Sequence, residues 1–118
     1  MPDARFQPLP GFRDFSPADC AVRNYLFDVW KRVAHRYGFL EWEGPTVEAT
    51  ELYLKKSGGE LPTQLFRFMD QGERDITIRP ELTASLGRIA AAYQREYTKP
   101  LKWFEIGSCF RYEKPQKG

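Results

Sequence analysis

Apolar residues recur at Val22, Tyr25, Leu26, Val29, Trp30, Val33 and Tyr37, the spacing of one helix face over roughly five turns. The start of that helix is marked locally. Ser16 stands at the N-cap, Pro17 at the first helical position, and Asp19 at N3, where an acid suits the helix dipole. Gly38 supplies the stop. Ahead of the helix, Met1 to Phe15 carries Pro8, Pro10 and Gly11 and predicts an extended lead-in. Gly11-Phe12-Arg13-Asp14 within it fits either a turn or the start of a site.

Beyond Gly38 the pattern shortens. Phe39 to Trp42 predicts a strand leaving the helix, ended by Pro45 because proline cannot donate to a ladder. Thr46 to Lys56 has a weak helical pattern through Val47, Leu52 and Leu54, broken by Ser57-Gly58-Gly59. From Leu65 the period becomes two. Phe66 and Phe68 alternate with Arg67 and Met69, and Ile76 and Ile78 alternate with Asp75, Thr77 and Arg79. Asp70 to Arg74 is a hairpin-length connection between the two runs. Pro80 is expected to open a second helix, with Glu81 in its first turn and Leu82, Leu86, Ile89 and Tyr93 as its apolar stripe. Pro100 precedes a final strand pair around Gly107. Hairpin strands with helices between them, and no regular strand–helix–strand rhythm, predict an α+β fold with an antiparallel sheet flanked by helices.

Composition narrows the class without naming a function. The chain has 118 residues, 42% hydrophobic and 15% aromatic, values that suit one folded domain with a core. A net charge of +2 is too small to argue nucleic-acid binding. Cys20 and Cys109 show no pairing pattern and fit a reducing compartment. The first residues contain acids and prolines and lack the apolar stretch of a signal peptide. No apolar run approaches the ~20 residues that span a bilayer. The expectation is a cytoplasmic chain with no membrane partner.

Two places concentrate candidate chemistry. Arg79-Pro80-Glu81-Leu82-Thr83 puts polar side chains at a helix start. There Glu81 and Thr83 can cap the helix, or a carboxylate and a hydroxyl can receive a ligand's ammonium group. In Lys102 to Gly118, KWFEIGSCFRYEKPQKG, Arg111 and Glu113 are two residues apart, so on a strand they share one face while Phe110 and Tyr112 take the other. They fit a solvated salt-bridge ladder of small energetic value, or an arginine fork aimed at phosphate or carboxylate. Lys114 and Lys117 can touch a phosphate backbone, as can many surface lysines. His35, the single histidine, falls late in the first helix, where a cation is favourable, and receives no catalytic role. No zinc-ligand spacing, phosphate-binding glycine loop or nucleophile elbow is present.

These stretches together resemble class II aminoacyl-tRNA synthetases, and most closely histidyl-tRNA synthetases. GFRDFSP at residues 11–17 is similar to the family's amino-terminal entry. The helix ending in YGFLEWEGPTVEATELY resembles motif 1, with Pro45 in the place of its proline. TIRPELTAS at residues 77–85 is similar to the segment that contacts the amino acid. KWFEIGSCFRYEKPQKG resembles the first strand and loop of motif 2. The combination of RPE-x-T with FRYE-x-PQ-x-G carries the specificity, because each piece alone is common.

The resemblance implies that residues 1–118 form the amino-terminal portion of a class II catalytic domain, with motif 1 and the first half of motif 2, and roughly half of an active site. The reaction implied is ATP-dependent activation of histidine to histidyl-adenylate, with Mg²⁺ on the nucleotide, then transfer to tRNA-His. Glu81 and Thr83 would hold histidine, Glu81 facing its α-amino group. Arg111 would be catalytic, bridging the amino acid's carboxylate and the α-phosphate of ATP. Glu113 would lie near the adenine, and the loop with Lys114 and Lys117 near the tRNA acceptor end. Motif 1, with Pro45, would form a homodimer interface. A regulatory subunit of an ATP phosphoribosyltransferase shares this fold, as do other class II synthetases. A third expectation compatible with the pattern is a dimerising module alone. The intact Arg111 and the basic KPQKG loop favour the ligase.

Overall fold

The computed structural model describes residues 6–55 and 61–112. The long first helix, α1 (Pro17–Arg36), has both ends where the local signals put them. Ser16 Oγ accepts from the Asp19 amide at 3.2 Å. At the far end the Gly38 amide donates to His35 O and the Phe39 amide to Ala34 O, both at 3.0 Å. These two bonds make a Schellman motif, and Gly38 takes the left-handed φ of 81° that it requires.

The chain then runs through β1 (Leu40–Glu41), β2 (Val47–Ala49), α2 (Thr50–Leu54), β3 (Phe66–Met69), β4 (Asp75–Ile78), α3 (Thr83–Tyr93) and β5 (Trp103–Phe104). Strands β2, β4 and β3 form an antiparallel sheet in that order, which is the α+β arrangement expected. The β3–β4 hairpin turns through Asp70 to Arg74, where the Asp70 carboxylate accepts from the Arg74 amide at 2.8 Å. Glu73, rather than Gly72, takes the positive φ.

Four expectations need correction. The weak helix over Thr46 to Lys56 is divided: Val47–Ala49 pairs with β4, and only Thr50–Leu54 is helical. Cross-strand pairing overrides a weak local pattern. The Ser57-Gly58-Gly59 break lies outside the described residues. Helix α3 begins at Thr83, not Pro80, because the Glu81 carboxylate, ahead of the helix, accepts from the Thr83 amide at 2.5 Å and the Ala84 amide at 3.1 Å. Only Trp103–Phe104 forms a strand at the end, and it pairs in parallel with β1, so residues 105–112 lie outside any strand. The sheets are thus an antiparallel three-strand unit and a separate parallel pair.

The fourth correction concerns the core. Among the described residues the buried hydrophobics are Tyr53 and Leu65, while Thr50, Thr77, Arg79 and Ser85 are buried polar ones. Strand register explains why. Val47, Ile78 and Phe66 share one face with Ala49, Ile76 and Phe68, and Glu48, Thr77 and Arg67 share the other. The polar face is the covered one, with Thr77 fully buried. Thr50 Oγ1 lies 2.6 Å from Thr77 Oγ1 and donates to Asp75 Oδ1 at 2.7 Å. Glu48 accepts from Ser85 Oγ at 2.6 Å and from Arg88 at 2.9 Å, joining β2 to α3.

Candidate functional site

A cleft of about 660 Å³ is lined by Gly11, Phe12, Phe66, Pro80, Glu81, Leu82, Cys109, Phe110 and Arg111. Its floor is the turn between β4 and α3, and one wall is the extended run 108–112. Backbone bonds hold that run in place. Phe110 N donates to Arg79 O at 2.9 Å and Tyr112 N to Gln64 O at 2.6 Å. The lead-in also lines the cleft: Gly11 has a φ of 86°, and Phe12 borders the cleft beside that run. Phe12 stacks on Phe110, with centroids 5.8 Å apart, and tilts onto Phe66 at 5.5 Å. Phe66 also meets Tyr112 edge-on at 5.6 Å.

Charge in the cleft is divided. Glu81 is one lining residue and Arg111 another. Arg111 Nε donates to Pro80 O at 3.3 Å, which leaves the outer donors of an exposed guanidinium without any partner assigned among the described residues. A carboxylate and a guanidinium in one cleft suit a zwitterion, with its ammonium toward the acid and its carboxylate toward the fork. Cys109 lies beside them, exposed. The sulfur itself is nevertheless partly desolvated, which pushes its pKa above the ordinary value against the opposing pull of Arg79.

The structure therefore brings Glu81 and Arg111 together. Thr83 is exposed in the first turn of α3 and is not among the cleft's lining residues. Pro45 is exposed between β1 and β2. Glu113, Lys114 and Lys117 lie outside the described residues. Among the described residues, no group of three or more His, Cys, Asp and Glu side chains is placed to hold a metal ion, and no helix is long and apolar enough to cross a membrane.

Sequence reasoning missed the aromatic wall and the residues behind it. Gly11 to Asp14 fits either a turn or the start of a site, and the contacts of Phe12 are with residues 54 and 98 positions away, beyond any local signal. Arg79 was read as one position in an alternating strand. It is in fact buried, at 7% exposure.

Known proteins resemble this chain in both sequence and fold. The sequence profile of the histidyl-tRNA synthetase family matches residues 11–118. A histidine–tRNA ligase of Opitutus terrae is 45% identical over 115 residues, covering 98% of this chain and 26% of the relative. The chloroplastic/mitochondrial histidine–tRNA ligase of Arabidopsis thaliana is 43% identical over 111 residues, 94% of this chain and 23% of that protein. The chain thus spans about a quarter of the length of these curated relatives. Among solved structures, apo histidyl-tRNA synthetase from S. aureus superposes with a TM-score of 0.78 at 28% identity, over 91% of this chain and 30% of that one. A Bacillus halodurans protein described as an ATP phosphoribosyltransferase regulatory subunit/histidyl-tRNA synthetase gives 0.82 at 25% identity, over 97% and 30%. With a family profile matching nearly its whole length and close relatives of one kind, the chain belongs to the histidyl-tRNA synthetase family.

Proposed function

We propose that this chain supplies the amino-acid-holding half of an adenylate-forming site, within an enzyme that joins histidine to tRNA-His at the expense of ATP. The observation that carries the reading is the shared cleft of Glu81 and Arg111. The substrate carboxylate attacks the α-phosphate, and pyrophosphate leaves from the opposite side. The transition state gathers negative charge between two anions, so positioning and positive charge are needed and a protein nucleophile is not. Arg111 reaches both anions with separate donors of one planar fork. Glu81 takes the α-ammonium, and Thr83, close by in sequence, adds a hydroxyl contact to histidine. Phe12, Phe66 and Phe110 keep water from the activated carbonyl. Mg²⁺ on the nucleotide would supply charge shielding at the phosphates.

The remaining assignments belong to the same reading. Glu113 meets the adenine side, and Lys114 and Lys117 meet the acceptor end of the tRNA. Pro45 and the outer face of α1 meet a second copy in a homodimer. That face is open in the structure: Val22, Tyr25, Leu26, Trp30, Val33 and Tyr37 are all exposed. The two free thiols accord with a cytoplasmic setting.

The test places this chain in the Opitutus relative in exchange for its matching quarter and measures histidine-dependent ATP–pyrophosphate exchange. Arg111→Ala is expected to lower the exchange rate by about 10²- to 10³-fold, the scale for one preorganised donor. Arg111→Lys is expected to be nearly as poor, because a point charge cannot bridge two anions. Exchange close to wild type in the lysine variant would remove Arg111 from this role. A regulatory subunit, the other description attached to the Bacillus halodurans neighbour, predicts histidine binding with no exchange in the parent chimera.

A further inference from the structure

The guanidinium of Arg79 is held on three sides. Its Nε donates to Ser108 O at 2.8 Å, and its Nη1 to Gly44 O at 3.2 Å and to Glu105 Oε1 at 2.9 Å. Glu105 Oε1 also accepts from the Gly44 amide at 3.4 Å. The ion pair is buried, with side-chain exposures of 8% for Arg79 and 4% for Glu105. The backbone of the same residue joins in: Arg79 N donates to Thr46 O at 2.8 Å, and Arg79 O receives the Phe110 amide. One residue thereby fixes the turn at 44–46, the run 105–110 and the start of Pro80-Glu81.

Gly107 is what admits the guanidinium. A Cβ at that position would stand 2.5 Å from Arg79 Nη2 and 3.1 Å from Cζ. A free arginine end could swing aside, but this one is tied through Nε and Nη1 and enclosed. Any side chain at 107 must therefore break the clamp or displace the run that carries Cys109, Phe110 and Arg111.

We infer that Arg79, paired with Glu105 and accommodated by Gly107, is a positioning residue that sets Arg111 against Glu81 across the cleft. It touches neither ligand group itself. Its functional consequence rests on the adenylate-site reading, whereas the clamp does not.

Cys109 lies on the clamped run, two residues from Arg111, and reports its mobility. The protein is the full 118-residue chain carrying Cys20→Ala, which leaves Cys109 as its single thiol. Iodoacetamide modification is timed in Arg79→Lys and Gly107→Ala, each at the same interval below its own melting midpoint. Both variants keep a cation at 79, so the electrostatic setting of the thiol is preserved and only the fork or its space is lost. Arg88→Ala, which cuts the ion pair with Glu48 and leaves the Arg79 clamp intact, is the control for general loosening. The expected result is about three- to fivefold faster modification in both clamp variants, as local opening uncovers the partly desolvated thiol, with the control within about twofold of the parent. Parent-like rates in the clamp variants, or an equal rise in the control, would overturn the inference.

Calorimetry with histidine and ATP on the same variants, carried in the Opitutus chimera, separates the two readings. Faster modification with no binding by the parent removes the adenylate reading and leaves the clamp. Binding by the parent that both clamp variants retain overturns the positioning role. Binding lost in the clamp variants and kept in the control supports it.

Discussion

Thr50, Thr77, Asp75 and Arg67 form one chain of polar contacts across the covered face of the sheet, and Asp75 is its ionisable member. Arg67 Nη2 donates to Asp75 Oδ2 at 2.5 Å and Thr50 to Oδ1 at 2.7 Å. The Arg67 bond first, and the Thr50 bond second, hold the Asp75 carboxyl below the usual carboxylate range. The Arg74 amide does the same for Asp70. A carboxyl whose folded pKa is depressed contributes stability that is complete above its unfolded value, near 4, and is lost as pH falls through the folded value. Urea midpoints are therefore expected to hold between pH 7 and 5 and drop below about pH 4. Asp75→Asn should flatten that drop, and an unchanged acid slope in the variant would show that the network does not couple to folding. At this scale the sequence was partly legible. Arg111 stood out because it is flanked by aromatic residues in a recognisable run. Arg79 did not, since nothing in one strand position announces three acceptors from segments 26 to 35 residues distant.

Elements were legible where their ends are signalled locally. Ser16-Pro17 and Gly38 bound α1 without help from the rest of the molecule, and Asp70 closes the β3–β4 turn through its own carboxylate. Helix α3 began later than expected because its cap is a glutamate ahead of the helix, not a serine, threonine or asparagine at the N-cap. Glu81 thus has two uses, capping α3 and lining the cleft. Glu81→Ala is expected to lower stability by about 1 kcal/mol, the usual cost of a lost cap. Glu81→Gln keeps an acceptor for the Ala84 amide and should melt near the parent temperature. It is nevertheless expected to bind histidine more weakly, since the ammonium loses its counter-charge. Paired melts and calorimetry check both, and a glutamine variant with parent-like histidine affinity would leave Glu81 as a cap alone. The division of Thr46 to Lys56 into β2 and α2 was not legible. It depends on β4, which comes later in the chain.

For the molecule as a whole, the accessible surface is 9597 Å², against about 6,600 Å² for a self-contained protein of 13.8 kDa. Much of the exposed apolar surface falls on α1. Its half-buried positions are Cys20, Arg23, Phe27, Val29, Lys31 and Ala34, whereas Val22, Tyr25, Leu26, Trp30, Val33 and Tyr37 are exposed. The period in the sequence was real, but apart from Val29 the stripe is exposed rather than packed into this chain's own core. Under the homodimer proposal, Trp30→Asp is expected to abolish concentration-dependent self-association in sedimentation velocity and to leave the far-ultraviolet dichroism unchanged. Self-association equal to the parent would exclude the α1 face as its seat. The clamp at Arg79 also has a bearing on how the molecule comes into being. Its acceptors on Gly44 and Glu105 lie 35 and 26 residues away in opposite directions along the chain. Helix α1 and the β3–β4 hairpin close over short distances and can form early, whereas these two loops cost more entropy to shut. During synthesis Glu81 and the amides it caps are joined to the chain before residues 105–108 exist. The cleft's lining therefore cannot close until the last partners of the clamp, Glu105 and Ser108, have been added to the chain.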